Sequence, residues 1–206
     1  MYKDLEILLE YIYTYYINLY DKWLEFINEK NIEPVNLKKT TVINSINQKT
    51  QNFISEYRYF LYSNIIEFDD NIPAEIDARF LSHRIKNEKS IALKLEKYLD
   101  PIEHQSGKSP LNKCLNDLFG IRIITPYQIP YLDIKTYVEN KYNFKCRDSS
   151  KNDYHATHIY IKNNINHVFQ WELQIWNTIY EKSNKESHAK YKQEYVSWEK
   201  ESTEEV

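Results

Sequence analysis

Residues 168–176 read Val168, Phe169, Gln170, Trp171, Glu172, Leu173, Gln174, Ile175, Trp176. Apolar Phe169, Trp171, Leu173 and Ile175 alternate with Gln170, Glu172 and Gln174, the period of two that marks a β-strand with one apolar and one polar face. Such a strand is either an edge strand with one wet face, or a strand whose polar side looks into a site. Working backwards, residues 155–162, 141–147, 118–125 and 80–86 give further strand patterns, so the expected sheet has about five strands. Residues 91–99 and 130–140 read as helices between them, the second opened by Pro130. Ahead of these lie two long amphipathic helices, expected over 5–29 and 42–66. The stretch Asp69-Asp70-Asn71-Ile72-Pro73 breaks the second one. From Thr178 the chain is polar, charged and expected to be helical. The reading is one α+β domain over residues 1–206, with a helical region 1–70, a core of strands and helices 75–177 and a C-terminal helical region 178–206.

Composition narrows the function. The chain has 206 residues, 42% hydrophobic and 28% charged, a globular balance. No apolar run approaches the roughly 20 residues of a membrane span. Asp4, Glu6 and Glu10 interrupt the first turns, unlike a signal peptide, so a cytoplasmic location with no membrane partner is expected. Cys114 and Cys146 form no C-x-x-C motif and are expected to be reduced thiols. Only Gly107 and Gly120 occur in the whole chain. A Walker A loop or a dinucleotide fingerprint needs at least two correctly spaced glycines, so both are excluded. Phosphates must be held mainly by charged side chains. A net charge of -3 also denies the chain a global basic field.

Four stretches could carry chemistry. Arg84, Lys86, Ser90 and Lys94 lie where a strand end meets a helix start, and residues 84–97 hold five basic and two acidic side chains. That gives either a local anion site or a solvated basic face. Asp117 enters an apolar strand beside Gly120 and Arg122, where a ligand or another backbone can approach closely; an Asp before a strand is also a common turn residue. Tyr154 could stack on a base and His158 could bond phosphate or ribose, or both could be satisfied structural residues. His155 and His158 face opposite sides of an alternating strand, which argues against a zinc pair. Glu172, brought beside Asp117 by neighbouring strands, could share a hard cation with it. Mg²⁺ suits one or two carboxylates with substrate phosphates completing the shell.

In order, Arg84-x-Lys86-x-x-x-Ser90-x-x-x-Lys94, Asp117-x-x-Gly120-x-Arg122, Tyr154-x-x-x-His158, Glu172-x-Gln174 and His188-x-x-Tyr191-Lys192 resemble the RelA/SpoT synthetase domain of small alarmone synthetases. The resemblance covers about residues 80–195. It implies a nucleotidyltransferase-like mixed sheet and transfer of the β,γ-pyrophosphate of ATP to a ribose 3′-hydroxyl. By the same resemblance, Asp117 and Glu172 hold Mg²⁺, and Glu172 is also placed to take the proton of the attacking hydroxyl. Arg84, Lys86, Ser90, Lys94 and Arg122 bind ATP, with Arg84 or Arg122 on the adenine face. Tyr154, His158 and Gln174 form the acceptor side.

The acceptor half departs from the family's pattern. Asp153-Tyr154-His155 stands where Gly-Tyr-Arg is common, Ser187-His188 where Glu-His is common, and Trp176-Asn177 where Arg-Thr is common. This resembles the toxic synthetases of toxin-antitoxin systems, and implies the 3′-CCA end of tRNA as acceptor and an antitoxin protein as partner. Guanosine nucleotides, GDP or GTP, are the alternative acceptors, and a catalytically silent binding module with the same fold is a further one. Lys38, Lys39, Lys182, Lys185, Lys190 and Lys192 are candidates for RNA backbone contact, or simply a solvated surface. The apolar stripes of the flanking helices suit an antitoxin, a homo-oligomer or internal packing equally well.

Overall fold

The computed structural model describes residues 3–190. Helix α1 (Lys3–Glu29) and helix α2 (Gln48–Asp70) precede strand β1 (Leu81–Ile85) and helix α3 (Glu88–Lys97). Two single-turn helices follow, α4 (Pro101–His104) and α5 (Leu111–Cys114). Then come β2 (Phe119–Thr125), α6 (Tyr131–Tyr142), β3 (Lys145–Asp148), β4 (Thr157–Ile161) and β5 (Trp171–Asn177). Residues 181–190 are helical. Tyr191 and Lys192 lie outside the described residues. The sheet order is β1-β2-β5-β4-β3, with β2 and β5 parallel and the other neighbours antiparallel. This is the α+β architecture with a five-stranded mixed sheet that the pattern implies.

Strand β5 is central, so the edge-strand reading of residues 168–176 is overturned. All seven of its residues are buried. Its apolar side, Trp171, Leu173 and Ile175, packs with Ile121, Ile123, Ile159 and Ile161 into the core beneath α1 and α2. Aromatic rings make that seam. Trp171 meets Tyr16 and Phe119 in T-shaped pairs at 5.0 and 4.5 Å, and Trp23 meets Tyr57 at 5.0 Å. Each such pair contributes about 0.5–1.5 kcal/mol beyond its buried area. Tyr15 Oη donates to Asn64 O at 2.6 Å, tying α1 to α2. Both cysteines are buried and free. Burial pushes each thiol up to about 12, which keeps them unreactive.

Several boundaries differ from the sequence reading: α2 runs on to Asp70, through the first two residues of the expected break, and three other boundaries move for a local reason. Helix α2 starts at Gln48 rather than residue 42, because Asn47 caps it by accepting from Thr50 N at 2.9 Å. Ile43 and Ile46, which fit the apolar period, are exposed, and the backbone of 42–43 is tied to the 107–109 loop instead. Strand β3 starts at Lys145 because α6 runs on to Tyr142 and ends on Asn143 in the left-handed region. Strand β5 starts at Trp171; ahead of it Gln170 Nε2 donates to Asn112 O.

Gly107 is a turn residue and no phosphate loop. Its φ is +75°, its carbonyl accepts from Ile43 N, and a Cβ there would lie 2.8 Å from Leu99 Cδ2 and 2.9 Å from Ile43 N. Gly107→Ala is therefore expected to destabilise the fold by about 1–3 kcal/mol. Urea denaturation measures this, and the expected result is a lower midpoint with an unchanged slope.

Candidate active site

Register sorts the side chains. Arg84 pairs with Gly120, Gly120 with Glu172, Arg122 with Gln174, His158 with Gln174 and Tyr160 with Glu172. Directly opposed residues share a face, and alternate residues along a strand do too. Arg84, Arg122, Glu172, Gln174 and His158 therefore occupy one face of the sheet, opposite the face that α1 and α2 cover. The resemblance assigned all five to one site, and the topology brings all five together.

At the β1–α3 corner stands a buried charge cluster. Asp117 Oδ2 accepts from Lys86 Nζ at 2.6 Å and Asp117 Oδ1 from Lys94 Nζ at 2.8 Å, with Arg84 Nη2 at 3.9 Å. Burial alone would raise the Asp117 pKa. Lys94 and Lys86 more than offset it and hold the carboxyl well below its usual range. Burial lowers the Lys86 ammonium despite Asp117, helped by the neighbouring charges of Lys94 and Arg84. Burial also draws on Lys94, but Asp117 wins there and raises it. Ser90 lies one turn before Lys94 in the first turn of α3, where its N–H donates to the capping Asn87 Oδ1 at 2.8 Å.

Two residues that sequence reading missed complete this corner. Asn116 Oδ1 accepts from Lys94 Nζ at 3.2 Å. Arg58 is buried in α2, donating to Lys86 O at 2.9 Å and to Glu88 Oε1 at 2.7 Å. Its signal was available as a cation in the middle of an apolar-periodic helix, between Tyr57 and Phe60, since a buried Arg must have partners. Gly120 is where the Arg84 stem crosses the sheet: a Cβ there would sit 3.8 Å from Arg84 Cγ and Nε, in ordinary contact. What lies over Gly120 is the Arg84 side chain rather than another backbone.

A hydrogen-bonded chain runs across the middle of the face. Tyr154 Oη lies 3.0 Å from His158 Nε2, and His158 Nδ1 lies 3.0 Å from Glu172 Oε1. Since an ionised Glu172 can only accept, the His158 Nδ1–H donates to it. Gln174 Nε2 donates to Glu172 Oε2 at 2.8 Å, and Gln174 Oε1 accepts from Arg122 Nε and Nη2 at 3.2 and 3.1 Å. Burial and the charge of Asp117 raise the Glu172 pKa; bonding and attraction from His158, with Gln174, bring it below its usual value. Burial pushes the Tyr154 hydroxyl up to about 12.

Arg122 also lies over Trp176, its guanidinium carbon 3.6 Å from the ring centroid, a cation–π contact. Trp176 stacks on His188 at 5.4 Å, and Tyr154 meets both rings in T-shaped pairs. Burial, then the charges of Arg122 and Arg84, push the His188 imidazole down to about 4, so it is neutral at pH 7. A cleft of about 360 Å³ opens here, between Arg84, Gly120, Arg122, Gln174, Trp176 and His188. Of the lysines named for RNA contact, Lys185 reaches its rim but pairs with Glu181 at 2.5 Å. Lys38 is tied to Asn164 O.

The donor set fits a hard cation. Asp117 and Glu172 offer only oxygen, both carboxyls lie below their usual range, they flank Gly120 on adjoining elements, and Glu172 senses the charge of Asp117. Among the described residues no third His, Cys, Asp or Glu joins them into a closed cage, so phosphate oxygens of a substrate would have to complete the shell.

The Asp117 cluster carries a testable pH dependence. A carboxyl whose folded pKa lies below the ordinary 3.8 adds stability that is present above that value and lost as pH falls through the folded pKa. The wild-type chain is expected to lose stability progressively below pH 3.8, and Asp117→Asn to lack that component. Denaturation midpoints measured across the acid range check this.

No family model matches the chain, and no curated protein matches it. Among solved structures it is similar to the small alarmone synthetase 1 from Bacillus subtilis, at 17% identity and a TM-score of 0.41, covering 85% of this chain and 81% of that one. The same Bacillus subtilis protein bound to its product pppGpp gives a TM-score of 0.37, covering 71% of this chain and 78% of that one. Bound to AMPCPP it gives 0.38, covering 70% and 76%, both again at 17% identity.

Proposed function

We propose that this chain is an ATP-dependent pyrophosphokinase that transfers the β,γ-diphosphate of ATP to the ribose 3′-hydroxyl at the 3′-CCA end of tRNA, acting as a translation-inhibiting toxin restrained by an antitoxin. The observation that carries the reading is the single polar sheet face on which a cationic corner at one side and a Tyr154–His158–Glu172–Gln174 chain at the other meet around Asp117 and Glu172.

The side chains divide the work. Lys86, Lys94 and Arg84 neutralise the triphosphate as charge spreads over its oxygens, which is most of what catalysis of phosphoryl transfer needs. Ser90 supplies a hydroxyl at the start of α3. Arg84 and Arg122, the second already over the Trp176 ring, offer planar cations to the adenine. Asp117 and Glu172 would hold Mg²⁺, which when bound neutralises charge on the phosphates. Glu172, held ionised by His158 and Gln174, takes the proton of the 3′-hydroxyl as its oxygen bonds to the β-phosphorus. The bond from that phosphorus to the α,β-bridging oxygen breaks, and AMP leaves with the electron pair. Tyr154 and His158 line the acceptor side. Base stacking on aromatic rings suits a single-stranded RNA end, and only that tip must enter a chain of net negative charge.

Incubation with γ-labelled ATP, tRNA and guanosine nucleotides together tests this. Label is expected on the tRNA 3′ end. Asp117→Asn and Glu172→Gln are each expected to lower transfer by about 10²-fold or more and to abolish growth inhibition in parallel. Label only on GDP or GTP overturns the tRNA acceptor. No transfer to any acceptor overturns the activity, and growth inhibition that survives both variants points to a binding module.

A further inference from the structure

Arg122 is a cation with no carboxylate paired to it among the described residues. Its charge is met by the Gln174 oxygen, which accepts from Nε and Nη2 at 3.2 and 3.1 Å, and by the ring of Trp176. Burial above all, with the charge of Arg84, lowers its pKa, and Tyr154 and Glu172 do not make up the loss. A partly buried charge kept at such a disadvantage marks a functional site more often than a structural one when no ion pair explains it. Both arginines line the same cleft.

The guanidinium is held in place from the neighbouring strand. Arg122 stands directly opposite Gln174 in the β2–β5 register. The Gln174 amide cannot turn round, because its Nε2 is committed to Glu172 Oε2 at 2.8 Å, so its oxygen is left facing Arg122. Trp176 lies two residues further along β5 and therefore on the same face, 3.6 Å from the guanidinium carbon. Its ring has little room to move: it is 1% exposed, with Tyr154 at 5.9 Å and His188 at 5.4 Å. His188, neutral at pH 7, adds no rival cation. A free Arg side chain carries about 2 kcal/mol of rotamer entropy, and a group ordered in advance does not lose it on binding.

We propose that Trp176 is a positioning residue: it backs the Arg122 guanidinium so that the other side of that cation receives the purine base of the donor nucleotide. The inference rests on the reading of this cleft as the ATP site. Trp176 then acts through Arg122, and its removal costs binding of the base rather than of the phosphates.

Calorimetric titration of the full chain, with Mg²⁺ present, compares two probes: the α,β-methylene analogue of ATP, whose bridging carbon cannot leave, and inorganic triphosphate, which has no base. Trp176→Leu is expected to weaken the analogue by about tenfold, the worth of one stacked base. The same variant is expected to change triphosphate by less than about twofold, since Lys86 and Lys94 are untouched and distant effects add independently. Trp176→Phe is expected to restore most of the loss, because a phenyl ring still attracts the guanidinium. In Arg122→Lys, which keeps the charge and loses the plane, adding Trp176→Leu is expected to weaken the analogue by less than about twofold more. On the wild-type chain, the Arg122 Nε–H signal in NMR spectra is expected to carry a ring-current shift and to move when the analogue is added, a reading that needs no variant to fold. Equal weakening of both probes, no weakening of the analogue, full additivity with Arg122→Lys, or an Arg122 signal unmoved by the bound analogue overturns the positioning role. Binding in the expected pattern without transfer of label to any acceptor upholds it and overturns the pyrophosphokinase reading instead. An analogue that does not bind at all overturns both.

Discussion

Asp117 is the charge on which the candidate site depends. It has two lysines bonded to its two oxygens and an arginine close by, all held at the meeting of β1, α3 and β2. A carboxylate this enclosed would become neutral unless cations faced it, and two ammonium groups this close would repel unless an anion separated them. Each therefore makes the other possible. Arg58 anchors the arrangement from α2 by gripping the Lys86 carbonyl and Glu88, so the helical layer on the far side of the sheet fixes where the cations stand.

The sheet supplies the second constraint. A period of two separates Trp171, Leu173 and Ile175 from Glu172, Gln174 and Trp176, and the partner strands obey the same parity. One face can then be a dry aromatic core while the other carries an unbroken polar chain from Tyr154 to Arg122. A slip of one residue in β5 would exchange the two faces entirely. The core thus specifies the site's register without touching its chemistry.

Much of this was legible in the sequence. The periodicities gave the order and type of every major element, and the spacing of Arg84, Lys86 and Lys94 placed them at one corner, because strand and helix geometry leave little choice. Less legible were matters decided at long range. The alternation in residues 168–176 could not say whether the strand was central, since a polar face looks the same whether water or an internal network covers it. Apolar Ile43 and Ile46 fitted a helix that begins only after Asn47, because capping outweighed the pattern. The pairing of His158 with Glu172 and the stacking of Trp176 on Arg122 and His188 each join residues apart in the chain, and no local signal announces them.

With only two glycines in the chain, one a turn residue against Leu99 and the other crossed by the Arg84 stem, the polar face presents its charges on side chains alone. A loop that holds phosphate with its main chain is a single unit, inherited or lost as a whole. Here every charged contact is encoded by its own codon. The specificity of such a surface can drift one substitution at a time while the backbone beneath it stays the same.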